Sequence, residues 1–203
     1  MDIKAILQRY WGFSKFRTLQ EEIILSVLDG KDTLALLPTG GGKSICFQVA
    51  ALAQEGICIV ITPLISLMKD QVENLQRRNI PAATIHTGMH NKEIELILTR
   101  CIRGEVKLLY ISPERLKNTL MKNSLQQMDV CLLAVDEAHC ISQWGYDFRP
   151  SYLEIANVRS LFTKYIPVLA LTATATPKVV QDIQEKLCFK EENVFQKSFM
   201  RSN

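Results

Sequence analysis

Short apolar runs alternate with amphipathic stretches along this chain. The runs at Thr33–Leu37, Ile57–Ile61, Ala82–His86, Val106–Ile111, Val130–Val135 and Val168–Leu171 are short and rich in β-branched or aliphatic side chains, and they predict strands. The stretches between them carry helix signals. Thr18 and Glu21 have capping-box spacing ahead of Ile23, Ile24, Val27 and Leu28, and Gly30 follows as a stop. Thr62-Pro63, Ser112-Pro113 and Thr176-Pro177 each set a capping side chain before a proline at the first helical position. Gly104 ends the helix that starts near Asn91. Strands apolar throughout, alternating with helices, predict an α/β domain of three layers: a mostly parallel sheet with helices on both faces. Sheets of this kind bind ligands at the carboxyl ends of their strands. The helical stretch 1–30 precedes the first strand and reads as an appendage to the sheet.

Composition narrows this picture little. The 203 residues suit one α/β domain, and a hydrophobic content of 47% is enough for a sizeable core. A net charge of +3 does not by itself argue for a nucleic-acid partner. No apolar run is long enough for a transmembrane helix, so no membrane association is expected. Met1-Asp2-Ile3-Lys4 lacks the basic-then-apolar order of a signal peptide, which points to an intracellular protein. Six cysteines, none at CxxC spacing, argue against a zinc site or a disulfide framework, so no zinc is expected. Cys58 and Cys131 lie in apolar runs and read as small core residues.

Chemistry enters with the first strand. It runs into Pro38-Thr39-Gly40-Gly41-Gly42-Lys43-Ser44 and then into an apolar helix. Glycines let the backbone curl so that its N–H groups point at phosphate oxygens, and the helix start adds its positive dipole end. Lys43 suits the β- and γ-phosphates of ATP, and the Ser44 hydroxyl suits Mg²⁺. A second group follows the strand Val130–Val135, which ends in Asp136-Glu137-Ala138-His139. Two adjacent carboxylates at the end of a buried strand are costly unless a cation uses them. Asp136 is the candidate Mg²⁺ partner and Glu137 the candidate for polarising an attacking water.

Asp-Glu-Ala-His after a strand resembles motif II of superfamily 2 helicases. Other motifs of that superfamily follow the same resemblance in order: Ile61-Thr62-Pro63-Leu64-Ile65-Ser66-Leu67-Met68 as motif Ia, Tyr110-Ile111-Ser112-Pro113-Glu114-Arg115-Leu116 as motif Ib, and Ala170-Leu171-Thr172-Ala173-Thr174-Ala175-Thr176 as motif III, with Thr172 and Thr174 in the coupling region. Leu37 stands where the general phosphate-loop pattern has glycine, a departure common in helicase loops. The resemblance implies a RecA-like P-loop NTPase domain over residues 31–197.

After motif II, Cys140-Ile141-Ser142-Gln143-Trp144-Gly145-Tyr146-Asp147-Phe148-Arg149-Pro150 places three aromatics and an arginine in a loop. From the residues alone two readings stand: Trp144 and Phe148 pack beneath the loop, or they stack on splayed bases while Arg149 holds phosphate. The string resembles the aromatic-rich loop of RecQ helicases. That implies that His139, Gln143, Trp144, Phe148 and Arg149 sense single-stranded DNA and couple it to hydrolysis.

Within residues 1–30, Tyr10-Trp11-Gly12-Phe13-Ser14-Lys15-Phe16-Arg17-Thr18-Leu19-Gln20 resembles motif 0 of the same family. The resemblance implies an adenine pocket in which Gln20 reads the base edge, Phe13 stacks and Arg17 sits near base or phosphate. Many relatives have Pro-Gly where this chain has Thr18-Leu19. Thr87-Gly88, between His86 and His90, resembles a threonine–glycine pair that touches a strand backbone in related helicases; the histidines themselves read as incidental. Lys69, Asp70, Arg77 and Arg78 read as surface.

Residues 198–203, Ser-Phe-Met-Arg-Ser-Asn, resemble the segment by which RecQ proteins enter a second motor domain. The expected partners are therefore single-stranded and partly duplex DNA and a second motor domain, absent here, that carries the arginine finger. The implied function is the first motor domain of a 3′-to-5′ DNA helicase using ATP and Mg²⁺, in a bacterial cytoplasm at the nucleoid or in a nucleus. Two alternatives stay open: a nucleic-acid-stimulated ATPase or translocase that does not separate strands, and a nucleotide- and DNA-binding module with little turnover.

Overall fold

The computed structural model describes residues 2–196. All of the expected runs form strands: β1 (Thr33–Leu36), β2 (Ile57–Ile61), β3 (Ala82–Ile85), β4 (Leu108–Ile111), β5 (Val130–Val135) and β6 (Val168–Thr172). A further strand, β7 (Val194–Gln196), pairs with the outer side of β1. Its three residues are too few and too exposed to show a pattern in the sequence. The sheet order is β3-β4-β2-β5-β6-β1-β7, and every pairing is parallel. The expected start of a linker at 198–203 lies outside the described residues.

The helices are α1 (Ile3–Trp11), α2 (Gln20–Leu28), α3 (Lys43–Leu52), α4 (Ile65–Arg77), α5 (Asn91–Ile102), α6 (Thr119–Gln126), α7 (Glu154–Arg159) and α8 (Pro177–Lys186). The period-two geometry of the strands divides their side chains between two cores. Leu34, Leu36, Ile59, Ile61, Leu133 and Val135 face one core, which α5–α8 cover with residues such as Ile94, Leu125, Ile155 and Ile183. Ala35, Leu37, Cys58, Val60, Leu132 and Ala134 face the other, covered by α1–α4 through Ile6, Ile23, Phe47 and Met68. The chain thus lays its first four helices on one face and its last four on the other. The N-terminal pair α1 and α2 is no appendage: Ile6, Leu7, Ile23 and Ile24 are fully enclosed in the second core.

The helix starts correct part of the sequence reading. Thr176 does cap α8, accepting the Val179 N–H with Pro177 in the first turn. Thr18 does not cap α2. Leu19 precedes that helix with φ of 70°, which places Thr18 outside the cap, and the turn is closed instead by the Gln20 side chain accepting the Arg17 N–H. Thr62-Pro63 does not open α4, which begins two residues after Pro63; the Thr62 hydroxyl is buried and turned to Asp136. Ser112-Pro113 opens only a short 3₁₀ turn, Pro113–Lys117, with no side-chain cap. Gly30 and Gly104, both at positive φ, end α2 and α5 as expected.

At the amino end of the strands, Asp32 is buried in front of β1. It accepts the Arg159 guanidinium at 2.7 Å, the Val168 N–H at 3.0 Å and the Lys190 N–H at 3.0 Å. Arg159 donates onward to the carbonyls of Ile166, Leu187 and Cys188. This pair ties β1, β6, α7 and the end of α8 together far from the strand ends that carry the motifs. Removing one partner leaves the other charge buried alone. Asp32→Ala should therefore cost on the order of 3–5 kcal/mol in urea or thermal unfolding; a loss under about 1 kcal/mol would mean that water takes over the vacated contacts.

Candidate functional site

The carboxyl ends of β1, β2, β5 and β6 gather the chemically marked residues. After β1 the chain passes Pro38, Thr39 and Gly40, all exposed, into half-buried Gly41, Gly42, Lys43 and Ser44, and α3 begins at Lys43. The loop closes on itself through the Gly41 N–H to the Pro38 carbonyl at 2.8 Å. Gly42 holds φ of 75°, which favours glycine, and a Cβ there would lie 2.3 Å from the Gln20 amide nitrogen and displace it. Lys43 reaches back to within 3.5 Å of the Leu37 carbonyl.

The motif 0 residues meet this loop, and two of them are already engaged. Arg17 donates to the Gly40 carbonyl. Gln20, buried at 3% exposure, donates to the carbonyls of Gly42 at 3.0 Å and Gly41 at 3.4 Å while its oxygen accepts the Arg17 N–H. Phe13 is half exposed and free to stack. The fold brings Arg17 and Gln20 to the phosphate loop, but here the Gln20 amide is committed to backbone.

At the end of β5, Asp136 is 7% exposed. Its backbone is pinned by its N–H to the Ile61 carbonyl and by the buried Tyr152 hydroxyl donating to its own carbonyl at 2.9 Å. Its carboxylate accepts the Glu137 N–H at 3.0 Å and the Thr62 hydroxyl at 3.5 Å. Burial, with the Glu137 charge beside it, pushes the carboxyl pKa up to about 6; the Glu137 N–H, Lys43 and Thr62 pull the other way. Glu137 itself sits at φ of 49°, a left-handed conformation that a non-glycine residue holds only under local constraint. Hard oxygen donors, the Asp136 carboxylate and the half-buried Ser44 hydroxyl, are the ligand type that Mg²⁺ takes.

Buried His139 links this end to its neighbours. Its Nδ1 lies 2.8 Å from the Thr172 hydroxyl and 3.4 Å from the Glu137 carboxylate. Burial lowers its pKa, so near neutral pH the contact with Glu137 is that of a neutral imidazole. Thr172 is buried at the end of β6 and bonds the carbonyl of exposed Thr174. The loop after His139 is folded back by the Arg149 N–H to the Cys140 carbonyl at 2.8 Å. On it Trp144 is 62% exposed, with Lys178 3.2 Å from its ring centre, and Tyr146 stacks on the His139 imidazole at 4.5 Å. Gln143 is exposed, Phe148 half-buried, and Arg149 pairs with Asp147 at 3.2 Å. Trp144 is thus not core; it borders a cleft of about 370 Å³ with His139, Tyr146, Thr174 and Val179. Sequence reasoning missed Tyr152, Thr62 and Lys178 as supports, because each acts through a contact that only the fold creates. Thr87-Gly88 is braced by Arg115 donating to the His86 carbonyl, with Gly88 at φ of 92°.

A parallel sheet with a phosphate loop after β1, paired acids after β5 and strand order 3-4-2-5-6-1-7 defines a RecA-like, P-loop class of α/β domain. Residues 17–183 match the DEAD/DEAH box helicase model, and the chain belongs to that family. It is 49% identical over 202 residues, 98% of its length, to the ATP-dependent DNA helicase RecQ of Bacillus subtilis, covering 34% of that protein. It is 39% identical over 210 residues, 100% of its length, to the RecQ-like DNA helicase BLM of Xenopus laevis, covering 15%. The chain therefore spans about a third or less of the curated relatives named here. Among solved structures it is similar to the DUF1998 helicase MrfA, with TM-score 0.75 and 16% identity over 96% of this chain and 32% of that one. It is also similar to the Hef helicase domain of Pyrococcus furiosus, with TM-score 0.67 and 23% identity over 88% and 37%. Among the described residues no helix is long and apolar enough to cross a membrane.

The raised Asp136 pKa has a sign that can be checked. The fold penalises its charged form above about pH 6, and the penalty fades as pH falls through the ordinary value of 3.8, below which folded and unfolded chains are both protonated. Asp136→Asn should therefore raise the melting temperature of the ligand-free chain at pH 8, by roughly 1–3 kcal/mol in stability, with the gain shrinking toward pH 4. A variant less stable than the parent at pH 8 would show that the Thr62 and Glu137 N–H bonds outweigh desolvation.

Proposed function

We propose that this chain is the nucleotide-binding motor domain of an ATP-dependent DNA helicase of the RecQ type, acting in the 3′-to-5′ direction with a second motor domain of the same protein. The observation that carries the reading is the continuous contact from Glu137 through His139 to Thr172 on one side and to Tyr146 of the aromatic loop on the other. It joins the candidate hydrolytic acid to an exposed aromatic loop within one buried imidazole.

In this reading the backbone N–H groups of the phosphate loop and the Lys43 ammonium bind the triphosphate, and Lys43 offsets charge on the transferring phosphoryl group. Ser44 and Asp136 would hold Mg²⁺, which when bound neutralises phosphate charge. Glu137 orients water and takes up its proton. Gln20, Arg17 and Phe13 hold the base once the Gln20 amide leaves the Gly41 and Gly42 carbonyls. Trp144, Tyr146 and Phe148 present π-faces to unstacked bases of single-stranded DNA, and Lys178, Arg149 and Gln143 lie beside them for the backbone. A second motor domain would add an arginine across the γ-phosphate, a contribution of roughly 10³- to 10⁵-fold in phosphoryl transfer. The solved helicase Lhr of Mycobacterium smegmatis, similar in fold with TM-score 0.65, is described as bound to ssDNA and AMP-PNP, which supports the same ligand classes here.

Three substitutions in the full-length protein test this. Lys43→Ala should lower ATP turnover by on the order of 10²-fold or more. Glu137→Gln should bind nucleotide in calorimetry and fail to hydrolyse it. Trp144→Ala should lose most of the single-stranded-DNA stimulation of turnover while keeping its melting temperature, since the ring is exposed. Near-normal hydrolysis by the lysine variant, or full DNA stimulation of the tryptophan variant, would remove the corresponding residue from the mechanism.

A further inference from the structure

Three donors of mixed chemistry converge beside the helicase motifs. His139, Cys140 and Asp147 place one ligand atom each within 4.8 Å of one another. The His139 Nε2 to Cys140 Sγ separation is 3.7 Å, and Cys140 Sγ to Asp147 Oδ2 is also 3.7 Å. Around a tetrahedral zinc, with bonds of about 2.0–2.3 Å, ligand atoms stand roughly 3.3–3.6 Å apart. Two edges of the triangle thus need to shorten by only a few tenths of an ångström. We propose that His139, Cys140 and Asp147 form a three-ligand site for a borderline transition-metal dication, Zn²⁺ fitting best, which would clamp the aromatic loop to the end of the acid-bearing strand.

The hydrogen bonds around the triad prepare it for this. The Thr172 hydroxyl donates to the Thr174 carbonyl at 3.3 Å, so toward His139 its oxygen is an acceptor. That places the imidazole proton on Nδ1 and leaves the Nε2 lone pair facing Cys140. A ligating histidine with its other nitrogen held in this way is the usual outer arrangement of a metal site. Arg149 grips Asp147 Oδ2 through Nε at 3.3 Å and Nη2 at 3.2 Å and fixes the carboxylate in place. The Cys140 backbone is held on both sides, its N–H by the Glu137 carbonyl and its own carbonyl by the Arg149 N–H. His139 and Cys140 are buried and Asp147 is half exposed, so an ion enters from the Asp147 side and keeps a fourth position for water. The spacing, two adjacent residues and a third seven positions on, matches no familiar zinc pattern, which is why the sequence gives no sign of it.

The donor set separates this site from the Mg²⁺ ligands. Thiolate and imidazole favour Zn²⁺ or Co²⁺, whereas Mg²⁺ takes oxygen. Burial pushes the Cys140 thiol up to about 12. Metal binding then requires the thiol proton to pass to solvent as the sulfur–metal bond forms, so affinity falls as pH is lowered.

Co²⁺ added to the full chain serves as the spectroscopic stand-in, in a Cys188→Ser background that removes the exposed thiol. One equivalent should give a thiolate-to-cobalt charge-transfer band and four-coordinate visible bands, abolished by one equivalent of Zn²⁺ and unaffected by excess Mg²⁺. Cys140→Ser should eliminate the charge-transfer band, and Asp147→Asn should weaken binding at least 10-fold. Melting curves establish that each variant is folded; should the buried serine variant fail to fold, the half-exposed Asp147→Asn decides. Absence of the band in the parent, or Asp147→Asn binding with unchanged affinity, overturns the proposal. The assay contains no nucleotide or DNA, so its outcome is independent of the helicase reading.

Discussion

The Asp136 carboxylate sits almost out of water at the end of β5, and its neighbours are arranged around the cost of keeping it there. The Ile61 carbonyl and Tyr152 hydroxyl fix its backbone, and the Thr62 hydroxyl and Glu137 N–H face its oxygens. Those contacts come from β2, from the turn after β5 and from the segment leading to α7. The site therefore depends on the strand order: β2 beside β5 brings Thr62, and β6 on the other side brings Thr172 to His139. None of these partners satisfies the negative charge outright. What remains is a group poised to gain from a cation, which is a cost to the ligand-free fold and an affinity for Mg²⁺ in the proposed reaction.

The phosphate loop shows the opposite economy. Three of its carbonyls are occupied within the protein, held by Gln20 and Arg17. In the proposed reaction the Gln20 amide trades its carbonyl contacts for the base, an exchange close to neutral because one hydrogen bond replaces another. In that reaction affinity would rest on phosphate charge against Lys43 and the start of α3, where among the described residues no carboxylate pairs with Lys43 at hydrogen-bonding distance.

Much of this was legible in the residues. Parallel strands buried on both faces leave unbroken apolar runs, so β1 to β6 and the two helical layers could be read directly. The phosphate loop and the Asp136-Glu137 pair were legible because each is contiguous, set by one strand end. The failures share a cause. Thr18 and Thr62 carry ordinary cap signals, yet their settings are decided elsewhere, by the left-handed Leu19 and by Asp136 across the strands. The exposure of Trp144 could not be read from composition, since a loop tryptophan packs or projects according to what lies beneath it; here Tyr146 takes the place over His139 and leaves Trp144 to Lys178. The His139–Cys140–Asp147 convergence was invisible because a loop closure, Arg149 N–H to Cys140 carbonyl, creates it.

His139 is the point at which the ends of β5 and β6 and the aromatic loop meet. In this buried imidazole both nitrogens and one face are in use: Nδ1 on Thr172 and near Glu137, Nε2 toward Cys140, one face under Tyr146. Burial lowers its pKa, which favours the neutral ring near pH 7. Turning the ring to follow a displacement of Glu137 would strain the Thr172 bond and the Tyr146 stack. Packed interiors answer such a conflict by moving between discrete arrangements, not by deforming smoothly. In the proposed function, bases that drew Tyr146 off the imidazole would free the ring, and with it the Nδ1 contact to Glu137. In the proposed function one neutral side chain would link the acid's position to that of the loop.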